Sequence, residues 1–490
     1  MQQFTPMEKC LRFLRRYNRY IKVTVIALIA LAIAVVPTEC FGIAGLTPIQ
    51  QRVVAIFVWA ALMWIVEAVP AWTTSLLIIV IMLLTISDSG ISALTSGYDA
   101  KELMSYKAIM NTFANPTVML FMGGFILALV ASKSGIDVSM ARAMLKPFGS
   151  KPRVVLLGFI LVTAIFSMFV SNTATAAMML TFMAPVIRQL PATEKGTTAL
   201  ALAIPIGANI GGLATPIGTP PNGIALQYIN DIDGLNLGVD FGEWTLVMTP
   251  LMLVILLISW GLLSAMFPFT AKKVNLTIIG GAKNGWRTYV IYATLAVTIL
   301  LWMFEKVTGI NSYVVALIPI GVFAITRIIK SSDLKDIDWA CLWMVAGGFA
   351  LGEGMSKTGL AKTLVAAIPF DSWPALLVML GGGIICWLLS QFISNSAATA
   401  LMVPIMVAVG SGMQEALGDF GGVGALLVGV AMAASFAMSL PISTPPNAIA
   451  YSTGLIKTKQ MFITGMLIGT ISLVIGYILI ITVGKSGYFG

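Results

Sequence analysis

Two short polar triplets, Ser171-Asn172-Thr173 and Ser394-Asn395-Ser396, decide how this chain folds. Each lies inside a long apolar window that contains no Lys, Arg, Asp or Glu, residues 154–187 for the first triplet and 372–414 for the second. Small polar residues in charge-free apolar surroundings are typical of a binding site inside a membrane.

The sequence around the first triplet returns around the second, in the same order and at nearly the same spacing. Gly123-Gly124-Phe125 returns as Gly347-Gly348-Phe349. The motif Pro-Ile-Gly-Thr-Pro-Pro-Asn at 216–222 returns as Pro-Ile-Ser-Thr-Pro-Pro-Asn at 441–447. Three matched blocks indicate a duplicated unit. We interpret the two glycine pairs as points of close helix packing.

The composition places the chain in a bilayer. It is 58% hydrophobic and only 10% charged over 490 residues, too apolar for a protein that covers its core with polar surface. Most of the 29 Lys and Arg fall in a few loops, which is how membrane proteins fix their orientation. The net charge of +9 therefore predicts membrane lipid as the surroundings and no nucleic acid partner.

Apolar segments about 20 residues long predict an all-α polytopic membrane protein with about eleven transmembrane helices and two re-entrant hairpins. The predicted spans are 21–37, 51–69, 72–87, 113–132, 197–229, 245–269, 288–305, 312–326, 338–356, 421–456 and 461–484, and the hairpins are 154–187 and 372–414. Basic residues precede the first apolar run, which we interpret as a span and not as a cleaved signal peptide. They predict a cytoplasmic N-terminus.

The same count predicts how the two halves are related. An odd number of crossings separates the hairpins, so one opens to each side of the membrane and the structural repeat is inverted. The predicted divisions are an N-terminal segment with the first helix (1–50), a first repeat (51–270), a cytoplasmic connector (271–287) and a second repeat (288–490). Each repeat carries one hairpin and one broken helix, 197–229 in the first and 421–456 in the second.

The triplets predict two sites for negatively charged groups. Ser and Asn are good N-caps, and an Ala-rich helical run follows each triplet, so each hairpin is expected to turn there. A helix N-terminus carries about half a positive charge and free N–H groups, which bind carboxylates. A single such triplet is usually only a helix cap, but the matched repeat favours a pair of tips that hold the two ends of a dianion.

The paired prolines predict the complementary cation sites. Two consecutive prolines remove two N–H donors and obstruct the preceding turn, so each helix must open, at Thr219-Pro220 and at Thr444-Pro445. Opened backbone inside a bilayer is tolerated where it lines a cavity, and bare carbonyls are hard ligands suited to sodium. The hairpins and broken helices contain no Lys, Arg, His, Asp or Glu, so the charge that balances a buried dianion must arrive as bound cations.

At these residues the chain resembles the divalent anion/sodium symporter family, which includes bacterial dicarboxylate transporters and mammalian sodium-dicarboxylate and sodium-citrate carriers. The resemblance covers essentially the whole chain after residue 50. It rests on the paired triplets and the paired Pro-Pro-Asn breaks. It implies a homodimer in which a transport domain moves against a fixed scaffold domain as an elevator.

The resemblance also implies which residues touch the transported ions. It implies that Asn172, Thr173, Asn395 and Ser396 touch the substrate and that Thr219 and Thr444 lie nearby. The predicted substrate site also includes the other residues of each tip and break, which are Ser171, Pro220, Ser394 and Pro445. Those that help to form two sodium sites are Ser167, Ser171, Asn172 and Gly218 for one site, and Ser390 and Asn395 for the other.

The leading interpretation is a secondary transporter that carries C4-dicarboxylates such as succinate, fumarate and malate into the cell across the inner membrane, coupled to Na+. The alternatives within the same fold are an exchanger of dicarboxylates or other anions and a sodium-coupled citrate or sulfate carrier. A proton antiporter would need a carboxylate at the membrane centre, and an enzyme would need a nucleophile and a base. Neither constellation is visible, so we predict a transporter and not an enzyme.

Overall fold

The structure is a computed structural model that describes residues 6–99, 102–191, 194–231, 235–276, 278, 280–367 and 373–488, with side chains from residue 19 onward. Parts of each predicted division lie outside the described residues: the first five residues of the N-terminal segment, residues 277 and 279 of the connector, and residues 100, 101, 192, 193 and 232–234 of the first repeat. In the second repeat they are residues 368–372, which include the start of the second hairpin, and 489–490.

The described residues form α-helices joined by short loops, with no β-strand among them. The α-helices are α1 (Pro6–Val35), α2 (Pro48–Val66), α3 (Ala71–Thr85), α4 (Ser92–Thr95), α5 (Tyr106–Asn111), α6 (Pro116–Ser134), α7 (Ile136–Leu145), α8 (Pro152–Ser167), α9 (Asn172–Ile187), α10 (Gly196–Gly211), α11 (Pro220–Ile229), α12 (Phe241–Met266), α13 (Trp286–Met303), α14 (Glu305–Thr308), α15 (Ser312–Val315), α16 (Leu317–Ile325), α17 (Trp339–Lys357), α18 (Leu360–Ala367), α19 (Ala375–Ser390), α20 (Asn395–Ser411), α21 (Gln414–Gly418), α22 (Gly422–Ser435), α23 (Pro445–Ser452) and α24 (Thr458–Gly484). Short 3-10 helices cover Thr38–Phe41, Lys146–Phe148, Gly212–Ala214 and Ser331–Asp336.

Six helical segments among the described residues are long and apolar enough to cross a membrane, which makes the chain a multi-pass membrane protein. They are Pro48–Val66, Tyr106–Ser134, Gly196–Ala214, Phe241–Met266, Trp286–Met303 and Thr458–Gly484. Each overlaps a predicted span. The total of about eleven crossings stays a prediction, because several other predicted spans form shorter apolar helices.

The predicted hairpins are pairs of such short helices. α8 and α9 have 16 residues each, and α19 and α20 have 16 and 17. A helix of 16 residues is about 24 Å long, shorter than the roughly 30 Å of hydrocarbon in a bilayer. The lengths therefore support re-entrant hairpins at these positions.

The chain divides into two compact units, each drawn from both halves of the sequence. One comprises residues 1–115, 340–373 and 407–413, and the other comprises 116–339, 374–406 and 414–490. The repeat boundaries, and the division into scaffold and transport domains, stay predictions.

Both glycine pairs lie at close helix contacts, as the sequence predicted. Within the first unit, a Cβ on Gly347 would approach the Cβ of Ser75 to 2.5 Å. Within the second unit, a Cβ on Gly123 would overlap the backbone of Ala316. Both distances are too short for any side chain, so the helices pack at these points through bare backbone.

The second unit is built around α10, whose residues are buried along the whole helix. It packs against the hairpin helices α8 and α9 and against α12. Helices from the second half of the sequence complete the core, since α23 packs on α9 and α10, and α22 packs on α11. The elements that carry the first tip and the two breaks therefore share one core.

Candidate functional site

The first tip turns at the predicted residue. α8 ends at Ser167 and α9 begins at Asn172, with Ser171 as its N-cap. The Ser171 hydroxyl accepts a hydrogen bond from the backbone N–H of Ala174 at 3.3 Å. The prediction of a helix cap at the first triplet is confirmed, and it leaves the N-terminus of α9 at the turn of the hairpin.

Three of the residues predicted for the first sodium site are in contact. The end of the Asn172 amide lies 2.6 Å from Ser167 Oγ, 3.1 Å from the Gly218 carbonyl oxygen and 3.3 Å from the Ala208 carbonyl oxygen. Ser167 Oγ also donates to the Ala208 carbonyl at 2.8 Å. With its nitrogen turned inward, Asn172 donates to all three oxygens. With its oxygen turned inward, it brings four neutral oxygens together, the ligand type that hard cations prefer.

Glycine is required where the first tip meets the first break. A Cβ on Gly218 would overlap the carbonyl of Gly212, and a Cβ on Gly212 would lie 2.7 Å from Asn172 Oδ1. Gly212 was not among the predicted site residues. The pair Gly211-Gly212 just before the break was the sequence signal that could have identified it.

The first break opens between Thr215 and Thr219, as the proline pair predicted, but the Thr215 carbonyl and two carbonyls just before the break are not bare. Asn222 Nδ2 donates to the carbonyls of Gly212, Leu213 and Thr215 at 3.0, 3.1 and 2.8 Å. The prediction of free carbonyl ligands is therefore wrong for these three. The Gly218 carbonyl, which faces Asn172, remains as the ligand that the break supplies.

The second break follows the same scheme. Asn447 Nδ2 donates to the carbonyls of Met438 and Leu440 at 2.8 and 2.9 Å. Both asparagines belong to the repeated motif, but the sequence alone predicted no role for them. The structure shows the role, because the Asn side chain after each proline pair donates to carbonyls of the chain just before that pair, where the helical hydrogen bonding has ended.

The second tip is also capped as predicted, since Ser394 Oγ accepts from the backbone N–H of Ala397 at 3.2 Å. Two residues predicted for the second sodium site, Ser390 and Asn395, lie on either side of this turn. Ser390 Oγ and Asn395 Oδ1 are both buried and have no hydrogen-bond partner in the part of the chain that the structure describes. A buried oxygen without a partner costs about 1–3 kcal/mol. The two oxygens therefore fit a cation ligand set.

The remaining predicted residues differ in exposure. Thr219, Ser396 and Thr444 are buried, whereas Thr173 and Pro445 are exposed. Thr444 Oγ1 accepts from the Asn447 N–H at 3.3 Å, which caps α23. Thr219 makes no such cap to α11 with its side chain.

Asn209, which was not among the predicted site residues, joins the first tip to the second break. Its Nδ2 donates to Thr444 Oγ1 at 3.1 Å and to Asn447 Oδ1 at 3.2 Å. It follows Ala208, whose carbonyl belongs to the first cluster. One turn of α10 thus contacts both the first tip and the second break. A polar side chain near the C-terminal end of an apolar helix was the available signal.

A cavity of about 790 Å³ reaches the first break at Pro216 from the loops that follow α11 and α13. Its polar lining includes the carboxylates of Asp231, Asp240 and Glu305, and no Lys or Arg among the described residues lines it. Such a cavity attracts cations and repels anions.

Comparison with known proteins places this arrangement among membrane transporters. The citrate transporter family model, CitMHS, matches residues 59–421. The sodium-dependent dicarboxylate transporter SdcS of Staphylococcus aureus is 29% identical over 480 residues, which cover 88% of this chain and 86% of SdcS. An uncharacterized transporter of Schizosaccharomyces pombe, C3B8.04c, is 31% identical over 412 residues. That match covers 82% of this chain but only 45% of the fission yeast protein.

Two solved structures share the fold at low sequence identity. The YdaH transporter of Alcanivorax borkumensis superposes with a TM-score of 0.53 at 15% identity, covering 77% of this chain and 87% of YdaH. MtrF of Neisseria gonorrhoeae, described as an antimetabolite efflux pump, superposes with a TM-score of 0.53 at 13% identity. That superposition covers 84% of this chain and 94% of MtrF.

Proposed function

The chain belongs to the citrate transporter family, and from that premise we propose that it is a sodium-coupled symporter of C4-dicarboxylates. It is a transporter and not an enzyme, and its resemblance to the divalent anion/sodium symporters is confirmed by the family match and by its similarity to SdcS. Succinate, fumarate and malate are the substrates that we propose. SdcS, described as a sodium-dependent dicarboxylate transporter, supports sodium and a dicarboxylate as the transported pair.

The observation that carries the proposal is the set of neutral oxygens at the two tips. Ser167, Asn172 and Gly218 converge at the first tip, and buried oxygens of Ser390 and Asn395 lack partners at the second. Among the described residues no group of three His, Cys, Asp or Glu side chains could hold a metal ion. Neutral oxygen ligands favour sodium over transition metals.

Charge balance supports coupling to at least two sodium ions. The helix N-termini of α9 and α20 supply about half a positive charge each, which is less than a dianion requires. Two sodium ions neutralise the dianion, and a third makes each cycle carry net positive charge inward. One net charge is worth about 2.3 kcal/mol per 100 mV, or roughly fiftyfold accumulation of substrate.

Location, assembly and mechanism complete the proposal. We place the protein in the inner membrane with its N-terminus in the cytoplasm, as the basic N-terminal residues suggest. We propose that it works as a homodimer by an elevator motion, with the two tips opening to opposite sides. A dicarboxylate or anion exchanger, or a sodium-coupled citrate or sulfate carrier, would use the same tips.

Succinate uptake into proteoliposomes, with and without a sodium gradient, tests the proposal. We expect uptake to require sodium, to rise more steeply than first order with sodium concentration, and to increase with an inside-negative potential. Sodium-independent exchange that ignores voltage would establish the exchanger instead. Competition by citrate and by sulfate then identifies the preferred anion.

A further inference from the structure

A small cavity adjoins the first tip on the side of Ser171. Its volume is about 200 Å³, and it lies entirely within the second compact unit, between α6, α7, α8 and α9. Its polar lining consists of Ser132, Asp137, Ser171, Thr175, Asp336 and Asp338. One water molecule occupies about 30 Å³ of liquid, so the cavity has room for a sodium ion with part of its hydration shell.

Asp137 brings a carboxylate into this cavity that the transport mechanism has not used. It is the second residue of α7 and is only 7% exposed. Its Oδ1 accepts a hydrogen bond from the backbone N–H of Val138 at 2.7 Å. Burial raises the pKa of Asp137 above its ordinary value, although this hydrogen bond opposes the effect. A buried carboxylate is stabilised by a cation at close range.

The nearest basic residue in the sequence does not supply that cation. Lys133 Nζ lies 2.5 Å from Asp333 Oδ1, so its charge is engaged with another carboxylate. None of the described residues that line the cavity is Lys or Arg, whereas Asp336 and Asp338 add two exposed carboxylates to its lining. The cavity is therefore negative, which favours a cation and disfavours the transported dianion.

Thr175 provides a second and independent sign of a ligand. Thr175 is fully buried in α9, and its hydroxyl has no hydrogen-bond partner within the described part of the chain. Threonine hydroxyls in helices normally donate to the carbonyl one turn earlier, as Thr181 does to Ala177 at 3.0 Å. A buried hydroxyl that leaves this bond unmade is suited to donate its oxygen to a cation instead.

We propose that Asp137 and Thr175, with Ser132, form a third cation site that takes the sodium ion responsible for the net charge of transport. The inference rests on the proposed sodium symport and deepens it, because the two tips account for two ions only. When a third sodium ion is bound beside the first tip, the carboxylate of Asp137 offsets the positive charge of that ion.

The test uses the full-length protein in proteoliposomes, with succinate as the substrate and sodium as the only alkali cation. The sodium-to-succinate ratio is obtained from the succinate gradient that just cancels net uptake at a set sodium gradient, with the membrane potential held at zero. We expect three sodium ions per succinate for the parent protein. Asp137→Asn should transport two per succinate and lose the response to voltage, and Asp137→Glu should restore both.

Thr175→Val tests whether the Thr175 hydroxyl is a sodium ligand or only a buried group without a partner. Removing a buried hydroxyl that has no partner should leave the apparent Tm unchanged or higher. If the hydroxyl binds sodium, the half-saturating sodium concentration should nevertheless rise by roughly tenfold. The control is Asp419→Asn, which removes an exposed carboxylate that lines neither cavity and should change nothing.

The outcomes distinguish the proposed sodium symport from the proposed third cation site. A parent protein whose uptake ignores sodium contradicts the symport itself. A parent protein that is sodium-coupled and voltage-driven, with an unchanged ratio in Asp137→Asn and unchanged sodium dependence in Thr175→Val, overturns the third site while the symport stands.

Discussion

The two breaks carry nearly the same seven residues, yet the isoleucine of the first is buried and that of the second is exposed. Ile217 in the first break is 6% exposed, whereas Ile442, at the same place in the second, is 69% exposed. The first break has Gly218 where the second has Ser443, and Gly218 contacts Gly212 through bare backbone. Duplicated sequence therefore does not give equivalent sites, since Gly218 packs on the backbone of Gly212 whereas Ser443 uses its hydroxyl to bond the Gln391 carbonyl.

The tips differ in the same sense. Asn172 already contacts Ser167 and two carbonyls, whereas Asn395 Oδ1 has no partner among the described residues. We infer that the protein alone holds the first cation site in shape, and that the second gains its full set of contacts when a ligand binds. Preorganised ligands bind more tightly because less ordering is needed at binding. The first site is accordingly expected to fill at lower sodium concentration.

Removing the tip amides should have the largest effect. Asn172→Ala and Asn395→Ala should each abolish sodium-driven succinate uptake, since each loses a ligand worth roughly 10- to 100-fold in cation affinity. The comparison of the tips predicts different stabilities. Asn172→Ala should lower the apparent Tm measured without sodium, because it removes the hydrogen bonds that the inward-turned amide nitrogen donates to Ser167 Oγ and to the Gly218 carbonyl, whereas Asn395→Ala should leave the Tm nearly unchanged. Normal uptake in both variants would exclude the tips from the site.

The contact between glycines in the first break gives the next largest effect. Gly218→Ala forces a methyl group into the Gly212 carbonyl, and overpacking of this kind costs about 1–3 kcal/mol. Ser443→Ala is the matched change in the second break. It loses the hydrogen bond that Ser443 Oγ donates to the Gln391 carbonyl at 2.9 Å and the one that it accepts from the Leu440 N–H at 3.0 Å, together worth about 2 kcal/mol, but it removes no proposed sodium ligand. We expect a much larger rise in half-saturating sodium concentration for Gly218→Ala, and equal effects would contradict the asymmetry.

Sequence predicted the positions of this site better than its internal contacts. Proline pairs and capping triplets act on the backbone next to them, so the tips at Ser171 and Ser394 and the breaks at Thr219 and Thr444 could be placed from sequence. Which donors reach the opened carbonyls depends on tertiary packing. The hydrogen bonds of Asn222 and Asn447, and the contact of Gly212 with Asn172, therefore became visible only in the fold.

Substitution of Asn209 tests whether the first tip and the second break are energetically coupled. Asn209→Ala removes both hydrogen bonds to the second break, at Thr444 and Asn447, and leaves the Ala208 carbonyl of the first cluster in place. We expect the sodium dependence of uptake to become less steep, because the coupling between the two sodium sites should fall by about fivefold. The control is Thr198→Val, because Thr198 Oγ1 joins the same helix to the Leu455 carbonyl at 3.2 Å away from both breaks. If the sodium dependence of uptake becomes less steep by the same amount in both variants, the cause is a general loosening of α10.

The smallest expected effect concerns the loops that return from the two hairpins. Glu194, after the first hairpin, accepts hydrogen bonds from Thr270 N at 2.9 Å, from Thr270 Oγ1 at 2.5 Å and from Ala271 N at 3.1 Å. Burial alone would raise the pKa of Glu194, but these donors outweigh it and lower the pKa below the ordinary carboxyl value. Glu415, after the second hairpin, is exposed and serves as the matched position.

A carboxyl whose pKa is lower in the folded state stabilises the fold above its ordinary pKa of about 4.3. The contribution is lost as the pH falls through the lowered value. Glu194→Gln should therefore cost about 1 kcal/mol at pH 7, seen as a lower apparent Tm in detergent, and the difference from the parent should shrink as the pH falls below about 4. Glu415→Gln should leave the Tm unchanged at every pH. A Glu194→Gln deficit that persists undiminished in acid would show that the loop is held by packing and not by the carboxylate charge.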